Sequence, residues 1–212
     1  MKLAVLVVAA LLSSSALIAQ EVKKGYSSSE IQTFLDQKAS SNGIYGAFHI
    51  GYSQIAGRDA MNMGFRGGWI ANHKFALGFA GTGFFSDKRP TGINNLDDYI
   101  AGGYGGILFE PIVMPMSQVH VSFPMIIGAG GVTIIERYHH IIDMTFQDPS
   151  SSEGVPFFVF EPGAELEFNI AKFFRFGLGV SYRFTSNIDL AGISPDALRG
   201  LNGHVIFKFG KF

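Results

Sequence analysis

The sequence predicts an all-β fold: an eight-stranded antiparallel up-and-down β-barrel that crosses a membrane, with a short N-terminal helix ahead of it. Three observations carry this reading. From Gly43 onward, apolar residues alternate with small or polar ones at a period of two, the signature of strands whose two faces meet different surroundings. Eight stretches do so, and the links between them alternate between short and long. The apolar row of these stretches is rich in aromatic residues, whereas the other row holds glycine, alanine, serine and isolated charges.

Three segments follow from this reading: a signal peptide over residues 1–19, an N-terminal segment with a short helix over 20–42, and the barrel over 43–212. Residues 1–19 read MKLAVLVVAALLSSSALIA, with Lys2 as a positive start and an apolar run from Leu3 to Leu12 that is too short to span a bilayer. Cleavage is expected after Ala19, with Ala16 as the alternative because Ser14 and Ala16 form the better small pair. In the next segment, Ser27 and Glu30 stand at capping-box spacing ahead of Ile31, Phe34 and Leu35 on one helical face. A disordered leader is the alternative there, since so short a helix is marginal by itself.

The strands then follow in order. The first, about 43–53, sets Ile44, Phe48, Ile50 and Tyr52 against Tyr45, His49 and Ser53. The second, 60–71, sets Met61, Met63, Phe65 and Trp69 against Asn62, Gly64, Arg66 and Gly68; the third, 74–85, sets Phe75, Leu77 and Phe79 against Lys74, Ala76, Gly78, Ala80 and Thr82. The fourth, 98–110, is so rich in small residues that its faces blur. The fifth, 118–133, sets Val119, Val121, Phe123, Met125 and Ile127 against His120, Ser122, Pro124 and Gly128. The sixth, 157–170, sets Phe158, Phe160, Leu166, Phe168 and Ile170 against Glu161, Gly163, Glu165, Glu167 and Asn169. The seventh, 173–184, sets Phe174, Phe176, Leu178, Val180, Tyr182 and Phe184 against Arg175, Gly177, Gly179, Ser181 and Arg183. The eighth, 201–212, sets Val205, Phe207 and Phe209 against Asn202, His204, Lys208 and Gly210. Pro124 and Pro162 each remove a ladder donor, so bulges are expected at both.

Connections after the second, fourth and sixth strands are short, and those after the third, fifth and seventh are long and polar. Only the first, QIAGRD, is of intermediate length. Both chain ends then lie on the short side, which is the layout of a transmembrane barrel. A soluble sandwich gives no reason for the alternation.

Composition narrows the function classes. The chain has 212 residues, enough for one domain with a core. Its net charge of −1 gives no reason to expect nucleic acid as partner. Cysteine is absent, which excludes disulfides and thiolate metal sites in this chain. Twenty-seven glycines and 21 phenylalanines suit closely packed strands better than helices, where glycine is costly.

Volume decides which row faces out. Eight strands enclose a lumen only wide enough for side chains or one small ligand, so bulky residues should be scarce inside. Phe65, Trp69, Phe75, Leu77, Phe79, Phe174, Phe176, Leu178, Val180, Tyr182, Phe207 and Phe209 are therefore assigned to lipid. An Arg or Lys on that face would cost roughly 2–4 kcal/mol at the midplane. Arg66, Arg175, Arg183 and Lys208 then point inward, where Glu161, Glu165 and Glu167, with Glu110 as a further candidate, are expected to pair with them in a network that fills the lumen. A selective ion pathway is the alternative use of these charges, and the narrow lumen argues against it.

With its signal segment, eight strands, alternating links and aromatic chain end VIFKFGKF, the sequence resembles the small outer-membrane β-barrels of the OmpA, OmpX and OmpW type over residues 43–212. The stretches GGYGGILFEP, 102–111, and VHVSFPMIIGAGGV, 119–132, are similar to barrels of uncharacterised function within that group. The resemblance implies residence in the outer membrane of a Gram-negative bacterium. It implies outer-membrane lipid and the barrel-assembly machinery as partners, with Phe212 as the assembly signal. Counting back by twos from Phe212 meets the polar row, so either a bulge intervenes or Phe212 lies beyond the strand.

Few residues suggest chemistry. His120 and Ser122 share a strand face, as a base and nucleophile would, but near the short-turn end and facing the lumen, so catalysis is not expected. His139 and His140, near Glu136 and Asp143, are adjacent and point to opposite sides of extended chain, a poor start for a metal site. No cofactor is expected. The expected function is that of a non-enzymatic barrel with a structural or surface-binding role, its long loops open to an extracellular ligand; the alternatives are a narrow channel for small hydrophobic molecules, as in the OmpW type, and a lipid A-modifying enzyme.

Overall fold

The structure, a computed structural model, describes residues 42–87, 89–90, 96–138, 150–151, 154–190 and 192–212. The signal segment, the helix proposed around Ser27 to Leu35, and His139, His140 and Asp143 lie outside the described residues. Of eleven strand pieces, two are two-residue ladders on loops and two are halves of one interrupted strand, which leaves eight staves. These are β1 (Asn42–Ile55), β2 (Arg58–Ala71), β3 (Phe75–Ser86), β4 (Leu96–Val113), β5 (Val119–Ser122 and Met125–Tyr138), β6 (Val155–Ala171), β7 (Phe174–Thr185) and β8 (Gly200–Lys211). Arg89–Pro90 and Ser150–Ser151 extend the ladders on β4 and β5.

Each stave pairs antiparallel with the next, and β8 pairs back to β1 from Ile44↔Lys211 to Ser53↔Asn202, so the sheet is closed. Paired positions followed once round the wall lead from Asn42 through Ala71, Phe75, Pro111 and Phe123, then through Ala164, Val180 and Gly203, to β1 again at Tyr52. Returning to Tyr52 rather than Asn42 is the stagger that tilts the strands and lets eight of them close. Closure leaves no edge, so the backbone donors and acceptors of the wall are met within it.

Turn chemistry matches the layout. Ala56 and Gly57, with φ of 53° and 71°, link β1 to β2, and Asn72 and His73, with φ of 51° and 60°, link β2 to β3. Two successive positive φ values give the tight turn whose twist suits a hairpin. The first connection is therefore as short as the links at the opposite end. Lys74 lies in the second of these turns and is exposed, so it does not belong to the inner row.

Neither proline is bulged. His120↔Glu167 and Met125↔Pro162 keep the same step across the β5–β6 seam, so no residue is inserted at Pro124 or Pro162. The missing Pro124 donor falls on that seam, where the Gly163 N–H still donates to the Pro124 carbonyl at 2.8 Å, and the ladder gap at Pro162 falls on the β6–β7 seam, between Ser181↔Gly163 and Phe184↔Phe160. The ladder slips instead on the β6–β7 seam, where Phe174 pairs with Ala171 but Arg175 pairs with Asn169.

Two buried clusters fill the interior. Tyr45, Ala47, Ile70, Ala76, Ala80, Leu108, Ile126 and Ile206 occupy the end with the β2–β3 turn, with Phe212 packed against them. Ile55, Ala60, Phe84, Ile100, Tyr104, Val132, Phe157, Val159, Ile188, Leu190 and Leu198 occupy the end with the long loops. Phe84, Tyr104 and Phe157 correct the expectation that bulky residues are scarce inside. Small neighbours make the room: a Cβ on Gly102 would lie 2.6 Å from Cζ of Phe84, and one on Gly130 would lie 2.6 Å from Cβ of Tyr104.

Candidate functional site

The strand period of two delivers inward polar side chains from all parts of the wall to one place. Glu110 comes from β4, His120 and Ser122 from β5, Glu165 and Glu167 from β6, Arg175 from β7, His204 and Lys208 from β8 and Arg66 from β2. All are buried.

Lys208 stands at the centre. Its ammonium donates to Glu110, to Glu167 at 2.8 Å, and lies 3.1 Å from Glu165. Arg66 and His204 meet the other Glu165 oxygen, His204 at 2.8 Å. Glu167 also receives the Ser122 hydroxyl, and it lies 3.1 Å from His120 Nε2 and 3.7 Å from Arg175. The Tyr45 hydroxyl donates to Glu110. Oxygens of Glu110, Glu165 and Glu167 lie within 4.8 Å of one another, a grouping that could hold a cation. Lys208 bonds all three, so a side chain already supplies the positive charge there.

The expected pairing departs at Glu161 and Arg183. The Glu161 carboxylate receives the Tyr104 hydroxyl, the Ser181 hydroxyl at 2.5 Å and the Asn202 amide at 2.8 Å, and among the described residues no cation lies within ion-pair distance of it. Arg183, fully buried, donates through Nε to the Leu198 carbonyl at 2.7 Å. Its guanidinium stands 5.2 Å from the centre of the Phe84 ring and 5.8 Å from that of Tyr104, and both terminal amino groups lack a hydrogen-bond partner. The β6–β7 register, Ser181↔Gly163 and Phe184↔Phe160, brings Arg183 opposite Glu161, but hydroxyl and amide donors hold the carboxylate instead.

His120 and Ser122 both bond Glu167 and not each other. A nucleophile and its base must share a hydrogen bond, and this pair does not. Phe212 lies beyond β8, with its ring 3.9 Å from the Arg175 guanidinium and 6.3 Å from Tyr45. It thereby covers the short-turn end of the lumen.

At the other end the described residues of the β7–β8 loop fold over the mouth. Ile188, Leu190 and Leu198 pack into the cluster beneath, and the Ala56 N–H donates to the Ala197 carbonyl at 3.0 Å. On the loop's exposed side, the Ser194 hydroxyl donates to Asp196. That bond, with the nearby charge of Arg199, holds the Asp196 carboxyl below its ordinary range.

The outer wall is the opposite of a soluble surface. Phe65, Phe79 and Phe158 are 71–75% exposed, and Trp69, Leu77, Leu178, Val180, Tyr182 and Phe209 are exposed beside them. Phe75, Phe174, Phe176 and Phe207 stand on the same face, half-buried by neighbouring rings: Phe75 against Phe109 at 4.3 Å, Phe174 against Phe209 at 4.9 Å and Phe176 against Phe207 at 5.6 Å.

No protein-family model and no curated protein matches the sequence. Solved structures do match. Neisserial surface protein A superposes with a TM-score of 0.54 at 9% identity, covering 82% of this chain and 100% of its own. This is the fold of the small outer-membrane barrels. The outer membrane protein OprG of Pseudomonas aeruginosa is similar over 82% of this chain and 96% of its own, at 12% identity and a TM-score of 0.45. Ail, the attachment invasion locus protein of Yersinia pestis, is similar over 82% and 99%, at 14% identity and a TM-score of 0.44. At these identities the likeness concerns the fold alone.

Sequence reasoning did not single out Tyr45, Tyr104, Asn62 or Asn202 as members of the polar network. Tyr45, Asn62 and Asn202 were already on the inner row, and a polar group on that row is itself the signal, because a buried polar atom needs a partner. Tyr104 lay in the one strand whose faces were blurred.

Proposed function

We propose that the protein is an integral barrel of the Gram-negative outer membrane, non-enzymatic, with a filled lumen and a loop-bearing end that serves a structural or surface-binding role. One observation carries the reading: the charges are inside and the phenylalanines are outside. Lys208 is 2% exposed while Phe79 is 73% exposed, a distribution that is costly in water and favourable in lipid. Phe65, Trp69, Leu178 and the rest of their row contact lipid in this reading, and Phe212 contributes to recognition by the barrel-assembly machinery.

The filled lumen speaks against the channel reading. An ionic layer and an apolar layer lie across the path, with Phe212 at one end and Leu198 at the other. The arrangement of His120 and Ser122 on Glu167 speaks against the lipid A-modifying reading.

The test is gel mobility of outer-membrane fractions with and without boiling. A folded barrel is expected in that fraction and shifts on boiling; recovery in a soluble fraction with no shift would sink the proposal. Purified protein in planar bilayers is expected to show no conductance.

A further inference from the structure

The long-loop half of the lumen holds a cation whose needs the fold leaves half met. Arg66, Arg175 and Lys208 each have a carboxylate within 4.0 Å, but Arg183, buried more completely than any of them, has none among the described residues. Burying an uncompensated charge is expensive, and its two terminal amino groups are aimed into the barrel with no acceptor. The aromatic faces of Phe84 and Tyr104 recover part of that cost.

What covers Arg183 is a loop rather than a strand. Residues 186–190 and 192–199 contribute three buried apolar side chains, Ile188, Leu190 and Leu198, with Ile193 partly buried against them, and one acceptor, the Leu198 carbonyl. The ties to the wall, besides the Arg183 bond to the Leu198 carbonyl, are few: Ala56 N–H to the Ala197 carbonyl, Arg199 Nε–H to the Thr185 carbonyl at 3.0 Å, and Phe158 and Ser186 exchanging two bonds at 3.0 and 3.1 Å. Most other bonds of the loop, such as Ile188 N–H to the Pro195 carbonyl, are internal and would survive its displacement. A segment held by so few ties opens at a lower free energy than the ladder beside it.

We propose that this loop is a displaceable lid over a binding pocket for a small aromatic carboxylate. The lid itself displays the chemistry required: an apolar body against Phe84, Phe157, Ile100 and Val132, and an acceptor on Arg183. A free ligand improves on it in one respect. A carboxylate meets the terminal amino groups with two parallel charge-assisted bonds, where a carbonyl meets only Nε. Its ring takes the place of the leucine side chains among the aromatic walls, where edge and face contacts are available. The class is narrow because an uncharged ring leaves the arginine as it is, and a carboxylate without a ring leaves the apolar walls empty.

The proposal rests on the surface-binding reading of the barrel but fails separately from it. Benzoate is the probe, with benzyl alcohol as its uncharged counterpart, added to the purified full chain in lipid nanodiscs. Saturating benzoate is expected to speed hydrogen exchange at the amides of Ala56, Phe158 and Ser186, whose bonds join the loop to the wall, while leaving the β1–β8 ladder protected. Benzyl alcohol is expected to bind at least about tenfold more weakly, the difference of one charge-assisted contact. Ile188→Ala with Leu190→Ala weakens the lid and is expected to tighten benzoate about tenfold; Arg183→Met is expected to erase the preference for benzoate over benzyl alcohol. Each variant is first checked for the boiling-dependent gel shift. If the shift is retained and benzoate leaves loop exchange unchanged, or binds the Ile188→Ala, Leu190→Ala variant no better than the parent, the pocket is disproved and the barrel reading stands. Loss of the shift in the parent chain would instead remove the barrel reading.

Discussion

In the short-turn half of the lumen every buried Arg and Lys reaches a carboxylate, whereas in the long-loop half Arg183 reaches none and apolar rings take up the space. The two halves also differ in what fills them. The ionic layer is made wholly of strand residues, so its geometry is set by ladder register. Part of the apolar layer comes from the β7–β8 loop, whose position depends on a few contacts. A narrow barrel can therefore be closed rigidly at one level and replaceably at another. Ionic packing is tied to one arrangement of partners, and apolar packing tolerates substitutes of similar volume.

The comparison can be broken most directly at Lys208. Lys208→Met leaves Glu110, Glu165 and Glu167 facing one another without their shared cation. It is expected to lower stability by about 3–5 kcal/mol, the cost of breaking a buried charge pair. The midpoint of urea unfolding in detergent micelles measures it, and a midpoint equal to that of the parent would mean the ionic layer is not what holds the short-turn half. Leu198→Ala, the matching change in the other half, is expected to cost about 2–4 kcal/mol through the cavity it leaves. Its signature differs, because hydrogen exchange should rise in the loop and at Ala56 while the ladder around Lys208 stays protected.

The fold was legible in the sequence to a large extent. Alternation alone separates Phe176 and Leu178 from Arg175 and Gly177, because a strand offers only two directions. Partners across the lumen were not legible. Which glutamate meets which cation depends on stagger and tilt, and these emerge only when the ladder closes. Arg183 and Glu161 show the limit: opposed positions on neighbouring strands suggest a pair, but Tyr104, Ser181 and Asn202 take the carboxylate first. The entry of Ile188, Leu190 and Leu198 into the mouth was hidden for another reason, since a loop has no period from which to read a direction.

Smaller effects sharpen the contrast. Arg58 grips Asp98 with two bonds of 3.1 and 3.2 Å at the long-loop rim, where the side chains are 9% and 16% exposed. Arg58→Ala is expected to cost about 1 kcal/mol, well below the lumen changes, by the same urea midpoint. Combining Lys208→Met with Leu198→Ala should give the sum of the single effects to within about 0.5 kcal/mol, as expected for layers without shared partners. A larger departure would show that the halves are coupled.

Lys208 belongs to the last strand, while the carboxylates it neutralises belong to the fourth and sixth. A chain that stops short of β8 is thus penalised twice, by an open seam beside β1 and by three crowded carboxylates without the cation they share, with Arg66 left to Glu165 and Arg175 to Glu167. Partial cylinders are made unfavourable by charge as well as by hydrogen bonding, and closure of the barrel becomes nearly all-or-none.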